Sequence, residues 1–415
     1  MSVRKRTWTN AKGEVKSAWL VDYADTAGIR RQKTFRLKKE ADAFAATASV
    51  EVREGIHVAD SASATVQKAA EFWMKDGERQ GLERSTLEQR RQHIKLHIEP
   101  FIGSTLLSKL SVPAARAFED KLREAGRSPA MIRKVMTSLS SLMSDAMERG
   151  LASRNPVREI KAKRGAGREK AQDKRQRGRL KVGIDIPTRE EMKAFVNALD
   201  GNWRPLLLTA VFTGMRASEL RGLRWANVDL DRRQIHVVER ADRFNDMGRP
   251  KSAAGERFIP IPPMVANTLR EWKLRYNRPT KGRDAKGKPV REDARPTHLV
   301  FANGSGKVES LANIINRGLV PMMIKAGITT ETGEFDDQGN AILKAKYSGM
   351  HGLRHFYASW CINRTSDGGL GLPPKVVQER LGHSTIAMTL DTYGHLFPRG
   401  DDADEMAAAE ASLLK

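Results

Sequence analysis

Three short clusters in the second half of the sequence combine residue types that handle phosphate esters. The first is Thr213-Gly214-Met215-Arg216-Ala217-Ser218-Glu219-Leu220-Arg221-Gly222-Leu223. Gly214 closes an apolar helix and Arg216 opens the next. A spacing of three puts Glu219 on the same face, where its carboxylate can orient the guanidinium. A purely structural Arg–Glu pair has the same signature, so this cluster alone leaves both readings open. The second cluster is His351-Gly352-Leu353-Arg354-His355. His351 and Arg354 stand at i and i+3, and they unite a fork that matches phosphate geometry with an imidazole that moves protons near neutral pH. His351 and His355 also have the i, i+4 spacing of a zinc helix, but Gly352 stands where the zinc-protease pattern needs Glu. The third cluster runs Leu381-Gly382-His383-Ser384-Thr385-Ile386-Ala387-Met388-Thr389-Leu390-Asp391-Thr392-Tyr393-Gly394-His395. Tyr393, one of only five tyrosines, follows a Gly-His turn and a short helix; it is either a nucleophile or packing.

In this order the pieces resemble the tyrosine recombinase family. Its pattern is T-G-x-R-x-x-E, a lysine on a β-turn, H-x-x-R, L-G-H and then the tyrosine. Here these are Arg216 with Glu219, Lys251, His351 with Arg354, His383 and Tyr393. Lys251 lies in Pro250-Lys251-Ser252-Ala253-Ala254-Gly255-Glu256-Arg257, between two candidate strands. Lys273 and the basic residues of 281–291 also fall in candidate loops and compete for that role. The resemblance is close over 184–398 and looser upstream.

The resemblance implies a phage-type integrase, a site-specific recombinase. Tyr393 would attack phosphorus and form a 3′-phosphotyrosyl bond. Two arginines and a histidine would stabilise the charge that grows on the non-bridging oxygens. Lys251 would protonate the leaving 5′ oxygen, His351 would accept the tyrosine proton, and Glu219 would hold an arginine or the histidine. The covalent bond conserves the energy of the broken one, so no ATP, metal or other cofactor is expected. In agreement, Gly304-Ser305-Gly306-Lys307 is followed by Val308 and lacks the glycine spacing of a P-loop. The implied partners are double-stranded DNA attachment sites, a homotetramer on two of them, a DNA-bending protein and a small directionality factor. Two other readings remain open. A type IB topoisomerase-like enzyme would relax unrelated supercoiled DNA, and a silent DNA-binding regulator would form no covalent adduct.

The rest of the chain must position these groups. Its 415 residues suggest two to four domains. The 73 Lys and Arg exceed the 50 Asp and Glu by 23, an excess that calls for a polyanion. Cys361 is the single cysteine, so no intramolecular disulfide forms and a reducing, cytoplasmic setting is expected. No apolar run reaches the ~18 residues of a membrane span, and the first residues lack the apolar stretch of a signal peptide.

The expected fold is multidomain and mainly α with small β elements. Residues 1–60 read as an N-terminal arm-type DNA-binding domain. Trp19, Val21 and Tyr23 alternate on one strand, 30–35 makes a second, and 38–54 has helical periodicity. Residues 62–160 read as a helical core-binding domain of four helices, with Thr65 as one cap, Pro113 in a first turn and Gly150 as a terminator. Residues 161–183 are a basic linker, since eleven Lys or Arg lie between Arg158 and Lys181. Residues 184–398 form a mixed α+β catalytic domain. It opens on a Thr188/Glu191 capping box and has strands at 234–238, 257–261 and 298–301. Its helices fall at 264–273, 310–325, 349–362 and 373–382. The polar stretch 329–347, with Asp337-Gln338-Gly339-Asn340 as its turn, reads as a surface insertion or hairpin, and 399–415 as a helix-prone tail.

Overall fold

The computed structural model describes residues 1–10, 13–164, 179–250, 252–276, 298–335, 338–339, 341–398 and 402–414. The chain divides into two compact units, Met1–Gln172 and Asp173–Lys415. The stretches 1–60 and 62–160 both fall in the first.

In the first unit, β1 (Ser2–Thr9), β2 (Val15–Ala24) and β3 (Arg30–Phe35) form an antiparallel sheet in that order. Helix α1 (Lys38–Arg53) covers one face and buries Val21, Tyr23 and Ala41, with Trp19, Phe35 and Phe44 around them. The sequence reading did not assign β1. Nearly every residue of that strand is exposed, so it carries no apolar alternation to read.

The helices that follow are α2 (Val66–Arg79), α3 (Arg84–His93), α4 (Glu99–Ile102), α5 (Val112–Glu124), α6 (Pro129–Glu148) and α7 (Pro156–Arg164). Thr65, Ser111 and Ser128 cap α2, α5 and α6 by accepting from the N–H of Lys68, Ala114 and Met131. Gly150, at φ 67°, ends α6. A π-helical turn at Ile94–Ile98 joins α3 to α4. Trp73, Ile98, Phe118, Leu139 and Leu142 lie in the shared core. Helices α4 and α7 add to the four expected. α7 forms because Val157 and Ile160, three apart, both reach that core. Its end enters the segment read as a linker, and 165–178 of that segment lie outside the described residues.

The second unit opens on α8 (Arg189–Ala198). Its capping box is present, with the Glu191 N–H 3.2 Å from Thr188 Oγ1 and the Thr188 N–H 2.8 Å from Glu191 Oε2. Helix α9 (Arg204–Thr213) is apolar all round, and Pro205 through Val211 are buried, so it runs through the interior. After α10 (Ala217–Gly222), strands β4 (Val228–Asp229), β5 (Gln234–Val237) and β8 (Arg257–Pro260) form an antiparallel sheet, and β6 (Arg240–Ala241) pairs with β7 (Met247–Gly248). The strand expected at 298–301 is a single bridge, Arg224 to Leu299. Its partner segment turns at once into a 3-10 turn at Trp225–Asn227, so the ladder cannot lengthen.

Helix α11 (Pro263–Tyr276) includes Lys273, which therefore stands on a helix and not in a loop. Helices α12 (Leu311–Asn313) and α13 (Val320–Lys325) are one rod broken by a π-helical turn at Ile314–Leu319. The insertion is an antiparallel hairpin, β9 (Thr329–Phe335) with β10 (Ala341–Ala345). Of its expected turn, Asp337 and Asn340 lie outside the described residues. Helices α14 (Met350–Ile362), α15 (Pro374–Leu381), α16 (Ile386–Tyr393) and α17 (Asp402–Leu413) complete the chain.

Helix α14 joins two cores. Met350 and Leu353 belong to the large one around α9, while Tyr357, Cys361 and Ile362 share a second with Val377, Leu381 and Tyr393. Gly214, the left-handed residue at the end of α9, sits against Tyr357, and a Cβ there would lie 2.3 Å from Tyr357 Cδ1. Gly214→Ala combines this clash with a φ of 58°. It is expected to cost about 2–4 kcal/mol of stability in urea unfolding; a loss within ~0.5 kcal/mol of zero would show that the turn yields.

Candidate active site

The three sequence clusters meet where two helices end. Both ends are glycines in the left-handed region, Gly214 after α9 and Gly382 after α15. Helix C-termini present carbonyls that lack intrahelical partners, at the negative end of the helix dipole. Two guanidiniums take them up. Arg354 donates Nη1 to the Gly214 carbonyl at 2.6 Å and Nη2 to that of Leu381 at 2.5 Å. Arg216 donates Nη2 to the Gly382 carbonyl at 3.0 Å. Arg354 is buried, whereas the Arg216 side chain keeps 36% of its surface exposed.

Glu219 balances part of this charge. Arg216 is the residue before α10 rather than part of it, and Glu219 reaches back to it. One carboxylate oxygen accepts the Arg216 amide at 2.8 Å, and the other accepts Nη1 at 2.7 Å. Arg257 adds Nη2 to Glu219 Oε2 at 2.9 Å, and its Nε reaches the Arg380 carbonyl at 2.8 Å. Burial alone would raise the Glu219 carboxyl, but Arg257 and Arg216 hold it below its ordinary value. Arg216 and Arg257 thus share one carboxylate, whose charge Arg354 also feels without bonding it. Burial, and then the charge of Arg216, bring Arg354 down to about 10.

Tyr393, the last residue of α16, is buried at 2% exposure. Its hydroxyl lies 2.8 Å from His355 Nδ1, and its ring is parallel to that of His383 at 6.2 Å. Burial pushes the phenol up to about 12, while Arg354 and Arg216 pull the other way. His383 Nδ1 is 2.9 Å from Thr389 Oγ1, and the His383 carbonyl accepts Gln378 Nε2 at 2.9 Å. Burial, then Arg354 and Arg216, lower His383 to about 4; burial, then His351 and Arg354, lower His355 to about 4. His351 is exposed at its residue surface and edge-on to His355 at 5.0 Å; partial desolvation of the ring, then Arg354 and Arg216, lower it.

Arg216, Glu219 and Arg354 are therefore gathered at the two helix ends, with the parallel rings of His383 and Tyr393 beside them and His351 next to His355. Lys251 lies outside the described residues. Beside that position, the Arg249 carbonyl accepts Arg240 Nε at 3.2 Å and that of Gly255 accepts Arg257 Nη1 at 2.8 Å. Two neighbouring side chains were not picked out as site residues in the sequence. Arg257 was read only as the start of a strand, although it shares the buried face of β8 with Ile259, and an arginine on an apolar strand face signals a buried ion pair. His355 was weighed only as a zinc ligand; its place one turn beyond His351 was the available signal.

Glu219→Gln would leave Arg216 and Arg257 without their carboxylate, and an expected loss of about 3–5 kcal/mol would appear in urea unfolding. A loss below about 1 kcal/mol would show that the guanidiniums do not depend on it. The two depressed histidines set a pH dependence. The unfolded chain takes up protons on these rings as pH falls through 6.5, while the folded rings stay neutral to about 4. Their contribution is whole above 6.5 and is lost as pH falls toward 4. The urea midpoint should fall between pH 7 and 4.5, and less so in His383→Asn; equal slopes would remove His383 from this account.

Residues 188–399, just over half of the chain, match the model of the phage integrase family. The tyrosine recombinase XerC-like protein of Caldanaerobacter subterraneus subsp. tengcongensis is 24% identical over 395 residues, covering 89% of each chain. The ICEBs1 integrase of Bacillus subtilis is 22% identical over 334 residues, 79% of this chain and 77% of that one. Among solved structures, the integrase of transposon Tn1549 in complex with transposon right end DNA superposes with a TM-score of 0.59 at 20% identity, over 84% of this chain and all of that one. With its matched stretch spanning Arg216, Arg354, His383 and Tyr393, the chain belongs to the phage integrase family and is a tyrosine recombinase, an enzyme that cleaves and rejoins DNA through a tyrosine.

Proposed function

We propose that Tyr393 is the nucleophile of a site-specific recombination reaction at the attachment sites of a mobile element. The observation that carries this reading is the surplus of positive charge beside a buried phenol. Arg216 and Arg257 share the single carboxylate of Glu219, and Arg354 bonds only neutral carbonyls. A phosphate supplies the missing negative charge and is held by guanidinium forks. The Bacillus subtilis relative is an integrase and the Tn1549 protein the integrase of a transposon, which supports a mobile element as the substrate's source.

The geometry supports the following division of labour. Arg354 spends two of its donors on carbonyls, which fixes the plane of its guanidinium for the phosphodiester. Arg216, half-exposed, has donors left for a non-bridging oxygen. Negative charge grows on those oxygens during attack, and fixed donors that need no reorganisation stabilise it. Thr389 holds the His383 ring through Nδ1, and in the tautomer protonated on Nε2 the ring is a further donor for the same oxygens. Exposed and neutral, His351 supplies another at the rim. Lys251 is proposed as the acid that protonates the leaving 5′ oxygen. Glu219 acts through Arg216 and does not touch DNA. By analogy with the family, two attachment sites are joined by four copies of the chain, with a bending protein and a directionality factor as further partners.

The test is covalent trapping on nicked duplexes tiled across the DNA that flanks the gene. Wild type is expected to give a denaturant-resistant adduct, and Tyr393→Phe to give none while binding DNA as tightly. Adduct formation by the Phe variant would move the nucleophile elsewhere. Arg216→Ala and Arg354→Ala should each slow adduct formation by roughly 10²–10³-fold or more; an unchanged rate in either would remove that arginine from the reaction.

A further inference from the structure

The family resemblance gives the tyrosine proton to His351, but the contacts point to a different ring. His351 is exposed, and its neighbour is the edge of His355. His355 stands one turn further along α14 and touches the phenol directly, Nδ1 to Oη at 2.8 Å. The two rings meet edge to face at 5.8 Å, a geometry that aims the hydroxyl at the ring nitrogen. We propose that His355 is the proton acceptor for Tyr393, a proposal that rests on reading Tyr393 as the nucleophile.

In this step the Oη–P bond forms as the P–O5′ bond breaks. The Oη proton passes to Nδ1 of His355, and the leaving 5′ oxygen takes a proton from the general acid, for which Lys251 is proposed. Rejoining reverses each transfer. The 5′ hydroxyl returns its proton and attacks phosphorus, and the departing phenolate recovers its own from the His355 imidazolium.

The groups facing His355 explain how a weak base can serve. Tyr393 faces it from α16, His351 and Arg354 from its own helix, and Asp185 from the segment before α8. Burial, His351 and Arg354 disfavour the imidazolium, and Asp185 favours it. A phosphodiester seated on Arg354 cancels that cation's repulsion and strengthens the base when substrate is present. His355 therefore needs no permanent carboxylate partner.

The experiment compares wild type, Tyr393→Phe, His355→Asn, His355→Ala and His351→Ala on the tiled nicked duplexes, with thermal melting and gel shift as controls. Asparagine places a carbonyl oxygen near the position of Nδ1, so it accepts the hydrogen bond but cannot take the proton. His355→Asn is expected to bind DNA normally, to form adduct about 100-fold more slowly or worse, and to lose the acid limb of the rate against pH. Replacing Tyr393 with a fluorotyrosine, whose phenol ionises more readily, should recover more of the rate in His355→Asn than in wild type. A structural role would give no such recovery. A wild-type rate in His355→Asn, or loss of the acid limb in His351→Ala instead, would overturn the proposal, and a faster His355→Ala would make the contact a latch. Failure of wild type to form any adduct would strike the nucleophile reading. A second measurement decides the proton acceptor without DNA. Nitrogen-15 spectra of histidine-labelled protein, assigned by difference from His355→Asn, should show at pH 7 a neutral ring protonated on Nε2; a proton on Nδ1 would overturn the proposal.

Discussion

Everything in the site depends on two guanidiniums that tie together two helix ends. Arg354 bonds the Gly214 and Leu381 carbonyls, and Arg216 bonds that of Gly382. A buried guanidinium is costly unless its donors are met. Carbonyls at helix ends are suited to meet them, since they carry partial negative charge and have no intrahelical partner. Each arginine therefore stabilises a turn and is aimed by it. Neutral carbonyls satisfy hydrogen bonds without cancelling charge, so the site keeps its appetite for an anion. Had carboxylates replaced those carbonyls, the same arginines would be structural ion pairs with little left for DNA.

The same turns govern how near the groups of the site approach one another. Gly214 lets Tyr357 pack against the end of α9, and a Cβ at Gly382 would lie 2.8 Å from Arg257 Nη1. With glycines in these places, α9, α14 and α15 close around Arg354, and the second core can take in the ring of Tyr393. Burial of that phenol fits an enzyme that must rejoin what it cuts. A phosphotyrosyl bond open to water would be lost to hydrolysis, whereas one formed against packed side chains waits for the 5′ hydroxyl.

Much of this was legible in the sequence, for reasons that differ by residue. Thr188 with Glu191, and Thr65 ahead of α2, were readable because a cap is a local interaction between near neighbours. Arg216, Arg354, His383 and Tyr393 were readable because their order resembles a known pattern; no local rule says that positions 214, 354 and 381 touch. What escaped depends on partners distant in the chain or on missing patterns. β1 has no buried face to alternate. The expected strand at 298–301 failed because its partner turned away after one pair. Arg257 acquires its meaning from Glu219, 38 residues earlier, and His355 from Tyr393, 38 residues later.

The protonation states complete the argument. Burial first, and then neighbouring charge (His351 and Arg354 for His355; Arg354, Arg216 and Arg257 for His383), disfavours a proton on either ring, and both stay neutral down to about 4. In the absence of DNA the phenol also holds its proton, since burial outweighs the pull of the two arginines. The phenol and the two imidazoles are thus all uncharged, and the phenol proton has nowhere favourable to go. A phosphodiester changes that balance by adding one negative charge among the guanidiniums. It relieves the repulsion that keeps an imidazolium from forming beside Arg354. On the proposed roles of Tyr393 and His355, burial and repulsion together make transfer of the phenol proton conditional on a bound phosphate, and an enzyme that breaks DNA gains from that condition.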